Sequence, residues 1–170
     1  LRLAVRNANR LFMESGCDCI KLEGGSDMAP VIKAIVKAGI PVCAHIGLTP
    51  QSAAMMGGFK VQGKSLQAAQ ELLDSARAVE EAGAFMVVLE GIPKMLADVI
   101  TQKIGIPTMG IGAGAGCDMQ VLVAQDMLGM NEWVPKFAKK FADLHTIIID
   151  AYNEYVKESN ERTFPDHDTQ

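Results

Sequence analysis

The sequence lacks the features of proteins that bind nucleic acids or cross membranes. Its net charge is −4, and its densest lysine group, within residues 136–140, has the spacing of a solvated helix face. No apolar stretch reaches membrane-spanning length. We therefore expect neither a nucleic acid nor a membrane as partner. The 170 residues, 49% of them hydrophobic, are enough for the core of a single domain.

Paired cysteines and zinc spacings are also missing. The four cysteines are Cys17, Cys19, Cys43 and Cys117. Cys17 and Cys19 would share one strand face and cannot pair comfortably, and no C-x-x-C or Cys/His zinc pattern occurs. We expect buried, reduced thiols and hence a reducing compartment: the cytoplasm, or the mitochondrion in a eukaryote.

The sequence also lacks an initiator methionine, a signal peptide and a transit-like segment. Leu1 lies within an amphipathic helical pattern, "LRLAVRNANRLFMESG". This predicts that the sequence is the later part of a longer chain.

A glycine-punctuated unit recurs along the chain. Gly16, Gly39, Gly83 and Gly105 each follow a helical pattern and precede an apolar run that ends in a polar, glycine-containing tip. A glycine at this position suits a left-handed helix C-cap. Nearly continuous apolar runs are typical of parallel strands that are covered on both faces.

Helical patterns lie between these runs. We predict helices at 28–38, 66–82, 93–104, about 135–143 and 145–158, and a fifth strand at 120–126. The alternation predicts an α/β fold with a parallel sheet. A (β/α)8 TIM barrel usually needs about 250 residues. We therefore expect strands 4 to 8 of such a barrel over about residues 1–143, then a C-terminal helix and tail over about 144–170. The alternative is an open doubly wound sheet.

Polar side chains follow the apolar runs at the predicted strand ends, where a parallel barrel carries its chemistry. Glu90 ends "FMVVLE", and burial of a lone carboxylate suits it to general acid or base catalysis. A salt bridge to a neighbouring lysine is the alternative. His45 could bind a substrate or stabilise developing negative charge, or be a satisfied core histidine. Asp126 would add a carboxylate at the fifth strand.

Lys21 and Glu23 fall on the same face of the first predicted strand, in "CIKLEGG". Glu23 could bind a hard cation such as Mg²⁺, which prefers oxygen ligands. Lys21 could hold a substrate carboxylate. The alternative for both residues is a mutual charge pair.

Two glycine-rich segments accompany these candidates. The segment at 110–116, "GIGAGAG", matches a relaxed dinucleotide fingerprint in letters, but it is not followed by the start of a helix. We expect it to approach a ligand or the barrel mouth closely with its backbone. The loop at 48–64 is either a lid over the mouth or a crossover that packs on a neighbouring subunit.

The ordered motifs "KLEGG", "AHIGLTPQS", "GGFKVQGK", "VLEG.P" and "IP..GIGAG...D.Q.LV..D.LG" resemble the ketopantoate hydroxymethyltransferase family. The resemblance covers about residues 3–142. It implies a (β/α)8 barrel of the phosphoenolpyruvate-mutase-like kind and a role in pantothenate and coenzyme A biosynthesis. It also implies transfer of a one-carbon unit from 5,10-methylenetetrahydrofolate to 3-methyl-2-oxobutanoate, with Mg²⁺. A large homo-oligomer, commonly a decamer, is expected.

By matching motif, Glu90 resembles the family's general base and Glu23 a magnesium ligand. Lys21 resembles the lysine that contacts the keto acid, and His45 a histidine near the bound product. The family's two magnesium-binding aspartates belong to early strands, which we expect upstream of Leu1. Two other hypotheses remain: another magnesium-dependent 2-oxo-acid carbon–carbon lyase, or a catalytically incomplete barrel acting as an assembly subunit.

Overall fold

Helices and strands alternate along the first two thirds of the chain in the computed structural model, which describes residues 1–166. The elements are α1 (Arg2–Ser15), β1 (Ile20–Glu23), α2 (Ala29–Lys37), β2 (Val42–Gly47), α3 (Leu66–Glu81), β3 (Met86–Glu90), α4 (Lys94–Lys103), β4 (Thr108–Ile111), β5 (Met119–Gln120), α5 (Ala124–Met127) and α6 (Leu144–Glu161). A single 3₁₀ turn lies at Pro50–Ser52. The predicted tail extends to residue 170, so its last four residues lie outside the described part.

The strands form one parallel sheet in the order β1-β2-β3-β4-β5. Each strand therefore pairs with the next strand along the chain, and all carboxyl ends meet at one edge. This arrangement, with helices between the strands, confirms the predicted α/β fold with a parallel sheet.

One face of the sheet packs against the helices. β2 is buried along its whole length, and its residues Val42, Ala44 and Ile46 join β3 residues and the buried isoleucines of α2 in the main core. The two α2 residues, Ile32 and Ile35, are at most 2% exposed. Burying such a side chain stabilises the fold by about 1.5–3 kcal/mol, so this face holds the sheet to its helices.

The opposite face carries a smaller apolar cluster. Cys43, Val88 and Ile111 are buried there, with Met86 and Met109 packed against them. Because successive side chains of a strand alternate between faces, one sheet has both a helix-covered face and this second face.

The predicted glycine caps are confirmed at three of four positions. Gly16, Gly39 and Gly83 have φ values of 68°, 88° and 94°, which an L side chain rarely adopts. Gly105 does not have a positive φ: α4 ends instead at Ile104 in an extended conformation. The prediction of a left-handed cap at Gly105 is therefore wrong.

All four cysteines are free thiols, but only two are buried. Cys43 and Cys117 are buried, whereas Cys17 and Cys19 are partly exposed, so the prediction of buried thiols holds for half of them. Burial raises the pKa of the Cys43 and Cys117 thiols. The reducing compartment stays a prediction.

The chain divides into two compact units, Leu1–Val121 and Leu122–Gln170. The first contains the whole sheet. The prediction of a single domain, with a helix and tail from about residue 144, stays a prediction. Among residues 1–166, none of the helices has the length and hydropathy needed to cross a membrane.

Two sequence predictions differ from the structure around and within the second unit. The predicted fifth strand exists and pairs with β4, but it covers Met119–Gln120 and not 120–126, and α5 begins at Ala124. The stretch at 135–143 contains no helix, whereas α6 confirms the helix predicted at 145–158.

Candidate active site

Four predicted site residues come together at the carboxyl ends of three neighbouring strands. Lys21 and Glu23 lie on β1, His45 on β2 and Glu90 on β3. The register pairs Glu23 with His45, and His45 with Val88, which is two residues before Glu90. The alternation of side chains therefore places all four residues on one face of the sheet.

That face is the one opposite the helices. Lys21 pairs with Cys43, a member of the small apolar cluster. The four site residues thus lie on the same sheet face as this apolar cluster, nearer to the carboxyl ends of the strands. The helix-covered face supplies the rigid support behind them, which a site needs if its geometry is to be precise.

His45 is at the centre of the group. Its side chain is 3% exposed, with Nδ1 2.9 Å from Lys21 Nζ and Nε2 3.1 Å from Glu90 Oε2. The Nε2 contact is close but too poorly aligned to count as a hydrogen bond, and Nε2 has no other partner among residues 1–166. Buried polar atoms are nearly always satisfied. The structure therefore disagrees with a fully satisfied core histidine, and the functional role of His45 stays a prediction.

Lys21 and Glu23 form the charge pair that was the alternative to a functional role. Lys21 Nζ lies 3.3 Å from Glu23 Oε1, and the Lys21 side chain is 49% exposed against 10% for Glu23. An ion pair with one exposed partner contributes about 0–1 kcal/mol. The pair is therefore too weak to explain by itself why two charges lie at this strand end.

A backbone group also holds Glu23. The Gln51 N–H donates to Glu23 Oε2 at 3.0 Å, and Gln51 belongs to the 3₁₀ turn of the 48–64 loop. The start of that loop therefore contacts the site. Sequence reasoning missed this donor because every residue except proline has the same backbone N–H.

Glu90 has no lysine or arginine partner among the described residues. Its side chain is 15% exposed, and its close ionisable neighbour is His45, whose Nε2 lies 3.1 Å from Glu90 Oε2. The predicted alternative, a structural salt bridge to a lysine, is therefore not found in residues 1–166. A carboxylate that is mostly buried, with one oxygen beside an imidazole, is suited to accept a proton from a substrate.

Gly47 on β2 leaves no room for a side chain beside the Glu90 backbone. Gly47 has a φ of 93°, and a Cβ built there would overlap the Glu90 carbonyl oxygen and lie 2.8 Å from Ile92 Cγ2. The next N–H, that of Leu48, donates to the same carbonyl at 2.8 Å. Only glycine therefore fits at position 47, and the hydrogen bond from Leu48 holds the backbone that carries Glu90.

The described residues do not form a metal site by themselves. Among residues 1–166, no three His, Cys, Asp or Glu side chains gather closely enough to hold a metal ion. Glu23 provides one carboxylate, whose oxygens are hard ligands. Mg²⁺ commonly binds one or two protein carboxylates together with water and substrate oxygens. Glu23 therefore fits the role of a single carboxylate beside such an ion.

Asp126 and the 110–116 segment lie in surroundings other than those predicted. Asp126 does not end a strand: it lies on α5, where its Oδ1 is 3.4 Å from Asn131 Nδ2. In the 110–116 segment, a Cβ on Gly114 or Gly116 would overlap Lys94 or Asp98 of α4. The close backbone approach expected of that segment is thus made to a helix, and its role toward a ligand stays a prediction.

The chain is similar to known enzymes over nearly its whole length. A family model for ketopantoate hydroxymethyltransferase matches residues 1–167. A 3-methyl-2-oxobutanoate hydroxymethyltransferase of Clostridium novyi is 58% identical over 163 residues, which are 95% of this chain and 59% of that protein. The enzyme of the same name from Geobacter metallireducens is 55% identical over 167 residues, 98% of this chain and 62% of that protein.

These matches define how much of a relative the chain represents. It spans about three fifths of the length of the curated relatives it matches. Five parallel strands with alternating helices agree with part of the family's TIM barrel. The chain belongs to the ketopantoate hydroxymethyltransferase family.

Proposed function

We propose that this chain carries the acid–base part of a 3-methyl-2-oxobutanoate hydroxymethyltransferase. The reaction moves a one-carbon unit from 5,10-methylenetetrahydrofolate to 3-methyl-2-oxobutanoate and gives 2-dehydropantoate (ketopantoate), a step of pantothenate and coenzyme A biosynthesis. The observation that carries the proposal is the Glu90 carboxylate beside buried His45, at the strand ends of a chain from this family.

The first chemical task is removal of a proton from carbon. The C3–H of 3-methyl-2-oxobutanoate is weakly acidic because it lies α to a ketone. Glu90 is the proposed base, since it is mostly buried and has no lysine or arginine against it in residues 1–166. Proton transfer by a positioned group contributes about 10²–10⁴-fold to a rate.

The neighbouring residues bind and orient the keto acid. Lys21 has a partly exposed ammonium group that can pair with the substrate carboxylate. Glu23, held by the Gln51 N–H, would hold Mg²⁺ or its waters. When bound, Mg²⁺ supplies positive charge that stabilises negative charge developing on the substrate oxygens.

The remaining steps balance with water as the one further reactant. The C3 carbon forms a bond to the one-carbon unit, which is at the oxidation level of formaldehyde, and the two bonds from that unit to the folate nitrogens break. Water supplies the oxygen of the new hydroxyl group, and tetrahydrofolate leaves. The proton that Glu90 took from C3 returns to the products, so Glu90 is regenerated as a carboxylate.

The test is an assay of folate consumption and product formation. The chain is incubated with Mg²⁺, 3-methyl-2-oxobutanoate and 5,10-methylenetetrahydrofolate, and tetrahydrofolate and 2-dehydropantoate are quantified. Equal formation of both products supports the proposal. Carbon–carbon cleavage of 2-oxo acids without folate consumption would instead support the lyase hypothesis.

A second candidate function is an assembly subunit without activity of its own. It is favoured by β1, which pairs only with β2 and leaves an open edge among the described residues, and by the partial coverage of the relatives. Open strand edges promote association. For the enzyme, we also propose that the chain forms a homo-oligomer and is located in the cytoplasm. Analytical ultracentrifugation of the chain tests the homo-oligomer. An inactive chain that gains activity on binding a companion polypeptide would support this candidate.

A further inference from the structure

We propose that the pteridine ring of the folate co-substrate binds in a cavity beside the strand ends, with Glu71 of α3 as the acceptor for its N–H groups. This deepens the proposed function and rests on it for the identity of the co-substrate. The cavity has a volume of about 280 Å³ and lies between the segment after β1, the 48–64 loop and α3. The four residues assigned to the keto acid do not line it.

The cavity borders the strand ends that carry the proposed base and the proposed magnesium carboxylate. Gly24, which follows Glu23, and Gly47, which lies opposite Glu90 in the sheet register, both line it. Ile46 also lines it and belongs to the main core, so the cavity is on the helix-covered side of the sheet edge. The two glycines have no side chains that could close the edge. A ligand in the cavity can therefore extend across the edge to the keto acid.

The polar groups of the cavity are negatively charged or neutral. Two carboxylates line it, those of Asp27 and Glu71, together with the hydroxyl groups of Thr49, Ser52 and Ser75. None of the lysines, arginines and histidines in residues 1–166 is among the lining residues. Burying a charge is costly unless it is paired, which disfavours the keto-acid carboxylate and the glutamate tail of the folate. The pteridine ring is uncharged, and it presents an amino group and a ring N–H on one edge.

Glu71 is suited to receive this edge. Its Oε1 accepts the side-chain amide of Gln67 at 3.0 Å, one turn earlier on the same helix. A carboxylate has about four acceptor sites, so it can accept the amino group and the ring N–H side by side, as it does with the fork of an arginine. Asp27 lies on a loop, where its Oδ1 accepts the Gly25 N–H at 3.0 Å. A helix holds a binding group more precisely than a loop does.

The cavity also has apolar surface and enough room for one bicyclic ring. Ile46, Met56 and Leu72 supply the apolar surface, and a methionine thioether makes favourable contacts with aromatic rings. Sites for drug-sized ligands have volumes of about 300–1,000 Å³. A volume of about 280 Å³ therefore suits one ring system and not a whole folate. The aminobenzoyl-glutamate tail would lie outside the cavity, and the one-carbon unit, bonded next to the ring, would lie at the sheet edge.

Binding of 5-formyltetrahydrofolate tests the proposal without any reaction. This stable compound has the same amino and N–H edge, and calorimetry measures its affinity for the full chain. We expect 6-methyltetrahydropterin, the ring without the tail, to compete with it. We expect 4-aminobenzoyl-glutamate, the tail without the ring, not to compete. Glu71→Gln should weaken binding by about 10–100-fold, the loss expected when a charged acceptor is replaced.

Asp74 offers a matched control on the same helix. Its Oδ1 accepts the side-chain amide of Gln70 at 2.9 Å, with the same spacing as the bond to Glu71, but Asp74 does not line the cavity. Asp74→Asn should therefore keep the affinity. Ala68 does line the cavity, and Ala68→Leu adds volume there without a change of charge. This variant should also weaken binding, and it decides if Glu71→Gln does not fold.

Three results would overturn the proposal: no binding by the unmodified chain, competition by the tail and not by the ring, or an unchanged affinity in Glu71→Gln or Ala68→Leu. Because calorimetry requires no turnover, its result is independent of the proposed reaction. A chain that binds the probe as expected but forms no 2-dehydropantoate would contradict the proposed function alone. Product formation with an unchanged KM for 5,10-methylenetetrahydrofolate in Glu71→Gln would contradict the role of Glu71 alone.

Discussion

Gly47→Ala perturbs Glu90 through the backbone without touching its side chain. Gly47 ends β2 opposite Glu90 and has a φ of 93°. A methyl group there would overlap the Glu90 carbonyl oxygen, which also accepts the Leu48 N–H at 2.8 Å. The β3 end, with Glu90 on it, must therefore shift away from β2.

The chain offers a matched control for the size of this effect. Gly39 has a φ of 88°, but a Cβ there would meet nothing within 4 Å. Strained backbone costs about 1–3 kcal/mol at either glycine. Overpacking adds about 1–3 kcal/mol at Gly47 alone. Gly47→Ala should thus lower the free energy of unfolding by about 2–6 kcal/mol, and Gly39→Ala by about 1–3 kcal/mol.

Urea unfolding and proton exchange measure the two consequences. A misplacement of about 1 Å in an active site costs about 10²-fold in rate, so folded Gly47→Ala should lose exchange of the substrate C3 proton while Gly39→Ala keeps it. Equal stabilities and equal exchange rates for the two variants would refute the argument that Gly47 fixes Glu90.

The remaining predictions concern Glu23 and Asp118. Glu23→Ala should raise the Mg²⁺ concentration needed for half-maximal activity, and an unchanged metal titration would remove Glu23 from the site. Asp118 Oδ2 accepts the Thr108 N–H at 2.8 Å and its hydroxyl at 3.0 Å, and these bonds hold the Asp118 pKa below its ordinary 3.8. A depressed pKa gives stability above pH 3.8 that is lost as the pH falls through the folded-state value. The stability advantage over Asp118→Ala should therefore shrink as the pH is lowered below 3.8; a constant advantage in urea unfolding would contradict this.

Local patterns were sufficient to predict the sheet and the candidate residues at the ends of its strands. Apolar runs between glycines predicted β1 to β4, and alternation within β1 placed Lys21 and Glu23 on one face. The sequence could not show that the register of β2 and β3 would bring His45 within 3.1 Å of Glu90. That contact depends on pairing between strands that are far apart in the chain.

The two ranges that were predicted incorrectly, 120–126 and 135–143, also depend on contacts that a local pattern does not contain. The apolar run at 120–126 has no hydrophobic period that distinguishes a strand from a buried helix. After β5, only the Val121 N–H still donates to the neighbouring strand, at the Gly110 carbonyl, and α5 then begins at Ala124. At 135–143, the lysine spacing suggested a helix. Short helices are marginal without tertiary packing, and Lys140 instead bonds the carbonyls of Asn131 and Glu132.

Long-range polar contacts were also beyond the sequence. Asp118 reaches Thr108 across ten residues, and the Gln51 N–H reaches Glu23 across 28 residues. Neither contact has a local motif. Such contacts depend on how strands and turns meet in the folded chain.

Exchange of the C3 proton of 3-methyl-2-oxobutanoate for deuterium, without folate, tests the role of Glu90 most directly. The chain should catalyse the exchange with Mg²⁺ present, and Glu90→Gln should lower the rate by about 10²–10⁴-fold while the keto acid still binds. Glu81→Gln, at an exposed glutamate at the end of α3, is the matched control and should retain the rate. Exchange by Glu90→Gln at the rate of the unmodified chain would contradict the account.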